Sequence, residues 1–319
     1  MKDLINSIGN KKVKGNLTFN ELAIQFLQAK IRQGLKNKTI NKYQDYIRIL
    51  KAYFGLKYLR DIDKTTIKQY EDYRTLNGDR QEYIREQLQT LSIMMNYAVE
   101  FEHLNTSPFD TYHFKKHLPH YKPRIRFLTP DECTKLIENC SDTLRPLVIF
   151  LLETGCRIGE ALNILFTDLC IDENTRLPYL VIRKEISKSN KQRIIPLSKL
   201  ALEQINYQHR TNPNSVVIFT HGGTPYSTYP KRALTTAMKK AGLKEEGGLF
   251  HLLRHTAGSL WIQGLNIDGT KREPVRIELI SEILGHSNIN ITKNVYAMFD
   301  KGDVIRAFII NEKKEENEF

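Results

Sequence analysis

Cysteine is scarce in this chain of 319 residues. The four that occur, Cys133, Cys140, Cys156 and Cys170, lie far apart with no CxxC pair. A structural zinc site needs closely paired ligands, so none is expected, and reduced free thiols are the plain reading. Long apolar runs are also lacking. The longest, around Leu147 to Leu152, has the length of a core-helix segment and is too short to cross a bilayer. Residues 1–15 are polar and lysine-bearing with no apolar stretch after them, which is not the pattern of a secretory signal. A cytoplasmic, nucleoid-associated protein is therefore expected. There is no internal repeat, no low-complexity block and no clustered set of carboxylates to hold catalytic metal ions.

What is abundant is positive charge. The formal net charge is +12, with 26% charged and 40% hydrophobic residues, the composition of a globular protein whose natural partner is a polyanion. The length suits two domains.

The first half reads as helices. Thr18 and Glu21 fit a capping box opening a helix to about Gln33, with Leu22, Phe26 and Leu27 on its apolar face. Further helices are expected over Thr39–Phe54 (Ile40, Tyr43, Ile47, Leu50), Lys64–Leu76 and Glu82–Glu102 (Ile84, Leu88, Leu91, Met95, Ala98). Residues 111–128 read as a basic linker. It has no acidic residue, carries Lys115, Lys116, Lys122, Arg124 and Arg126 as candidate phosphate contacts, and contains Pro119 and Pro123, which oppose a continuous helix. His113, His117 and His120 lie there without a carboxylate or cysteine nearby, so no metal site is read into them.

A second domain opens at Thr129, Pro130 and Glu132, a helix-start pattern. An apolar helix over Leu144–Glu153 ends at Gly155. Strands Tyr179–Arg183 and Gln192–Pro196 flank the polar turn Ser187–Lys191, and helices follow over Lys199–Gln208, Tyr229–Ala241, Leu249–Ile262, Val275–Leu284 and Ile289–Tyr296.

Metal-free cleavage of a phosphodiester needs cations already aimed at the oxygens of a five-coordinate phosphorus, an in-line nucleophile, and a proton for the leaving oxygen. Arginine suits the first task, because its planar fork can hold two oxygens and keeps its charge. The second half offers Arg157, Lys188, His251, Arg254, His286 and Tyr296. Singly, each has an ordinary structural explanation. Together and in this order, they stand in four short motifs: Thr154-Gly155-Cys156-Arg157-Ile158-Gly159-Glu160-Ala161-Leu162, Ser187-Lys188-Ser189-Asn190-Lys191-Gln192-Arg193-Ile194-Ile195-Pro196-Leu197, His251-Leu252-Leu253-Arg254-His255-Thr256, and Leu284-Gly285-His286-Ser287 with Asn294-Val295-Tyr296.

These motifs resemble those of the tyrosine recombinase (phage integrase) family, in its Xer-like or short mobile-element branch. The resemblance runs from about Leu17 to Phe299 and is strongest from Phe127 onward. It implies a mainly α fold with a small antiparallel sheet in a two-domain architecture. The parts would be a polar extension (1–16), a helical core-binding domain (17–110), the basic linker (111–128), a mixed α/β catalytic domain (129–302) and a C-terminal segment (303–319). The apolar stretch Val304–Ile310 of that last segment is a candidate for exchange between protomers.

For the site, the resemblance implies Tyr296 as nucleophile forming a 3′-phosphotyrosine, and Arg157 and Arg254 as the phosphate clamp. His251 would handle the proton, Lys188 would protonate the 5′ oxygen, His286 would support the phosphate and Glu160 would steady the helix. It implies no cofactor and no metal, double-stranded DNA with inverted-repeat core sites as substrate, a homotetramer on that DNA, and accessory proteins in some members. Three features depart from compact members: extra residues around Asn266–Pro274, a His286-to-Tyr296 spacing one residue longer than in many, and Phe166 where a tryptophan often stands. Tyr226 and Tyr229 precede the His-x-x-Arg motif and do not fit the nucleophile's place. Strand relaxation of the type IB topoisomerase kind, or a non-catalytic DNA-binding regulator, are the alternatives. The regulator leaves the full residue set unexplained.

Overall fold

The computed structural model describes residues 14–118, 126–245, 248–286, 288–293, 295 and 296. The chain forms two compact units, residues 1–122 and 123–319.

The first unit is helical: α1 (Phe19–Arg32), α2 (Asn37–Phe54), α3 (Lys64–Leu76), α4 (Gln81–Glu100) and the single turn α5 (Phe114–His117). The capping box is present at α1. The Thr18 amide donates to Glu21 Oε2 at 2.8 Å, and the Glu21 amide donates to Thr18 Oγ1 at 3.3 Å. Asp63 caps α3 by accepting from the Thr66 amide at 2.8 Å. The apolar stripes meet in one core built from Phe19, Leu22 and Phe26 of α1, Ile47, Leu50 and Phe54 of α2, Ile67 and Tyr70 of α3, and Ile84, Leu88, Leu91 and Met95 of α4. The start of the expected linker belongs to this core. Tyr112, Phe114 and Leu118 are buried, and the Tyr112 hydroxyl donates to buried Glu71. Burial of these three apolar side chains attaches the stretch to the first unit, while Lys115 and Lys116 between them stay exposed.

The second unit comprises α6 (Pro130–Glu138), α7 (Arg145–Thr154), the short α8 (Ile158–Ala161), strands β1 (Leu169–Ile171), β2 (Pro178–Ile182) and β3 (Arg193–Pro196), and α9 (Lys199–Thr211). A two-residue pair β4 (Thr220–His221) and β5 (Thr224–Pro225) follows, then α10 (Lys231–Lys240), α11 (Leu249–Gln263) and α12 (Ile277–Leu284). Residues 289–293, 295 and 296 are helical as well. Thr129 and Glu132 form the second capping box, at α6. β1, β2 and β3 form an antiparallel sheet in that order, with Leu169 opposite Leu180 and Ile182 opposite Arg193.

α11 is the central helix. Phe250, Leu252, Leu253, Arg254, Ala257, Gly258 and Leu260 are all buried, so it has almost no solvent face. The residues around 266–274 are not an open loop. Leu265 bridges to Lys271, and Ile267 is buried in the main core. α10 starts two residues later than expected because Pro230 occupies its N-cap.

Candidate active site

α7 ends at Gly155 in the left-handed conformation (φ 58°). The chain then turns so that Arg157 becomes the N-cap of α8. A β-carbon at residue 155 would stand 2.5 Å from Leu284 Cδ2, so glycine is needed there for space as well as for φ. Its carbonyl accepts from Arg254 Nη1 at 2.8 Å. Arg254, on α11 and 4% exposed, also donates through Nη2 to the Leu284 carbonyl. Arg157 donates to that same carbonyl at 3.5 Å and to the Gly285 carbonyl at 3.1 Å. The end of α12 therefore holds both guanidiniums side by side. Burial, followed by repulsion from Arg157, lowers the Arg254 pKa to about 9, which leaves it charged at neutral pH.

Glu160 lies beneath the two arginines, 1% exposed. It accepts from the Arg157 backbone amide (3.0 Å) and Nη1 (3.1 Å), and from Arg193 Nη1 (3.0 Å) and Nη2 (2.6 Å). Burial alone would raise its pKa. Arg193 and then Arg157 outweigh that effect and hold it at about 2.

Gly285 (φ 66°) turns the chain into His286. His286 Nδ1 lies 2.7 Å from the hydroxyl of Thr292, which is fully buried. Burial, then the charges of Arg254 and Arg157, bring the His286 pKa down to about 4. His251 lies three residues before Arg254 on α11, with an exposed side chain. Its pKa is lowered by desolvation of its packed side, then by Arg254, Lys188 and Arg157. Lys188, exposed in the connection between β2 and β3, is thus near enough for its charge to act on His251. Three of the expected residues, Arg157, Arg254 and Glu160, converge on one hydrogen-bonded framework, and His286 follows Gly285, whose carbonyl belongs to it. His251 and Lys188 stand at its rim.

Tyr296 does not join that framework by any hydrogen bond. It is 1% exposed and packs with Ala257, Trp261, Ile262, Ile280 and Leu284. Among the described residues its buried hydroxyl has no hydrogen-bond partner. The hydroxyl lies against Gly258, where a β-carbon would collide with it. This burial raises the Tyr296 pKa, against a smaller opposing effect of Arg254.

Two residues passed over in the sequence reading belong here. Arg193, at the start of β3, binds both oxygens of Glu160. His255 has a buried Nδ1 without a partner among the described residues, and burial, then His251 and Arg254, lower its pKa to about 4. Both lie inside the quoted motifs, but neither has a sequence signal separating it from a solvated neighbour. Phe166 is half-buried and meets His209 edge-on, as packing. Of the linker cations, Lys115 and Lys116 are exposed on α5, while Lys122 and Arg124 lie outside the described residues. Arg126 is engaged within its own unit, donating to the Lys244 carbonyl and to Glu132 Oε1 (3.0 Å). Val304–Ile310 also lies outside the described residues. Among the described residues no group of three or more His, Cys, Asp or Glu could hold a metal, and no helix is long and apolar enough to cross a membrane.

Residues 126–302 match the model of the phage integrase family, and residues 18–117 match that of the phage integrase SAM-like domain. The chain is 23% identical over 296 residues to tyrosine recombinase XerD of Rickettsia bellii, covering 86% of this chain and 92% of that protein. Its fold is similar to that of lambda integrase in a dimer bound to a COC′ core site (TM-score 0.72, 20% identity, 88% of this chain and 95% of that one). It is similar also to that of lambda integrase in a tetramer bound to a Holliday junction (TM-score 0.71, 20% identity, 92% of this chain and 80% of that one).

Proposed function

This chain belongs to the phage integrase family of tyrosine recombinases, site-specific enzymes that break and rejoin DNA, and from that premise we propose how its own residues divide the work. Arg157 and Arg254 hold the two non-bridging oxygens of the scissile phosphate. Tyr296 Oη attacks phosphorus. The Oη–P bond forms, the bond to the 5′ oxygen breaks, and the 3′ end stays on the enzyme. His251, whose lowered pKa favours the neutral ring, accepts the proton that Tyr296 gives up as its Oη bonds to phosphorus. Lys188 donates a proton to the leaving 5′ oxygen, and His286 supports a phosphate oxygen. Glu160 orients Arg157 and stays anionic. Because the phosphotyrosyl ester conserves the bond energy, rejoining needs no nucleotide, and fixed cations supply the electrostatics without a metal.

The observation that carries this reading is the shared use of the Leu284 carbonyl by Arg157 and Arg254, two guanidiniums brought together from different helices. Like charges held this close in a buried setting call for an anion between or above them. Tyr296 must leave its apolar packing to reach that phosphate, so cleavage includes a rearrangement of the segment after Gly285.

The substrate in this proposal is duplex DNA with inverted-repeat core sites in the cytoplasm, bound by four copies of the chain, with Lys115 and Lys116 among the backbone contacts. Lys122 and Arg124 are further candidates from the sequence. The test is a nicked suicide duplex taken from the DNA flanking the gene, incubated in EDTA and resolved in SDS. A covalent adduct with the wild type and none with Tyr296→Phe is the expected result. Specific binding without any adduct would refute the assignment of the nucleophile.

A further inference from the structure

Arg193 is set into the second unit more firmly than a solvated strand arginine. Its side chain is 7% exposed. Its fork takes both oxygens of Glu160, and its Nε donates to the Ile283 carbonyl at 2.9 Å. A β-carbon at residue 285 would lie 2.8 Å from Arg193 Cδ, so the Gly285 turn closes directly over this side chain. One residue therefore joins three segments distant in sequence: the strand after the Lys188 turn, the α8 turn that carries Arg157, and the end of α12 that leads into His286.

The geometry points to Arg193 as a positioning residue for strand cleavage: by saturating Glu160, it keeps the Arg157 guanidinium from collapsing onto that carboxylate and leaves it available to phosphate. This rests on the proposed role of Arg157. The physical reason is competition for one anion. With Arg193 in place, Arg157 makes a single side-chain contact to Glu160, Nη1 to Oε1 at 3.1 Å, and spends other donors on the carbonyls of Leu284 and Gly285. With Arg193 gone, Oε2 would keep only the Arg157 backbone amide and the weak thiol contact from Cys156 at 3.6 Å. A buried carboxylate in that state draws in the nearest cation, and a bidentate Arg–carboxylate pair is the preferred geometry. The nearest cation is Arg157. Arg193 touches no reacting atom in this scheme and acts through Glu160 alone.

The experiment is a double-mutant cycle on single-turnover adduct formation by the full chain. The probe is a nicked duplex recovered as covalent adduct from a randomised library by the wild-type protein. Arg193→Met should slow adduct formation at saturating DNA by about 100-fold, the scale of an ångström-level misplacement, while DNA affinity changes less than about threefold. Arg193→Lys, which keeps the charge but not the fork, should recover part of that loss. In an Arg157→Ala background, Arg193→Met should have little further effect, because both changes remove the same interaction. A purely structural role would instead multiply the two losses. If Arg193→Met does not fold, Arg193→Lys carries the same cycle. Multiplicative losses, unaltered cleavage, or a change confined to affinity would each overturn the inference and leave the active-site assignment standing. Failure of the wild type to give any adduct would overturn both.

Discussion

Replacing Glu160 by glutamine removes the only carboxylate that the described structure places against Arg157 and Arg193. The cost can be worked out from proton affinity. Folding lowers this carboxyl from 4.5 to about 2, and at about 1.4 kcal/mol for each tenfold change the charged form is stabilised by ~3 kcal/mol. A depressed acid contributes this stability in full above pH 4.5 and loses it progressively as pH falls from 4.5 to about 2, so the whole amount is present at pH 7. Glutamine is nearly isosteric, but its amide nitrogen would face an arginine N–H, donor against donor, and breaking a buried ion pair typically costs about 3–5 kcal/mol. The single tryptophan makes this measurable: Trp261 lies on α11, 7% exposed, and reports on the second unit alone. With a urea dependence of roughly 2 kcal/mol/M, the fluorescence midpoint should fall by about 1.5 M at pH 7. High salt should change this difference little, because the pair is buried. A fall below about 0.5 M would refute the argument that Glu160 is the buried counter-charge of this site.

Tyr296→Phe should abolish the covalent adduct yet raise the urea midpoint, since it removes a buried hydroxyl without a partner, a defect that costs about 1–3 kcal/mol. Stability and adduct yield, read on the same preparation, should therefore move in opposite directions. Gly155→Ala should destabilise the second unit by about 1–3 kcal/mol through its left-handed φ alone. It should also suppress adduct formation, because the new β-carbon meets Leu284 and the Gly155 carbonyl anchors Arg254. His255 and His286 are both held at about 4, below the ordinary 6.5. The unfolded chain therefore takes up protons first, and stability should fall as pH drops from 6.5 to 4. His286→Gln should flatten that slope when urea midpoints are compared across the range.

The helices were legible because their signals are local. α3 runs over Lys64–Leu76, the span that its pattern predicts, and both threonine capping boxes form as the spacing to glutamate requires. β1 was not legible. Three residues with a half-buried pattern carry too little periodicity, and only pairing with β2 defines them. In residues 112–118 the two lysines and two histidines stand out in the sequence, while burial of Tyr112, Phe114 and Leu118 ties the stretch to the first unit's core. Within the site, the motifs named Arg157, Arg254 and Glu160, which the structure brings together, but not Arg193. Arg193 follows a polar turn and looks like any solvated arginine until Glu160, 33 residues away, is placed against it.

The departures from ordinary folding rules gather around this one site, and they have a common origin. Three guanidiniums, Arg157, Arg193 and Arg254, face the single carboxylate of Glu160. That excess positive charge helps to keep His251, His255 and His286 unprotonated. In the proposed mechanism an incoming phosphate, whose charge grows on the way to five-coordination, would complete this framework more fully in the transition state than in the ground state. Tyr296, buried without a hydrogen-bond partner between α11 and α12, is held by packing alone. Among the described residues no hydrogen bond of its own hydroxyl has to break for it to leave, whereas Thr292 of the same segment is tied to His286 at 2.7 Å. The unpartnered His255 Nδ1 and Tyr296 hydroxyl and the depressed histidines thus gather beside the paired Glu160, at the place where the proposed mechanism receives the charge of DNA.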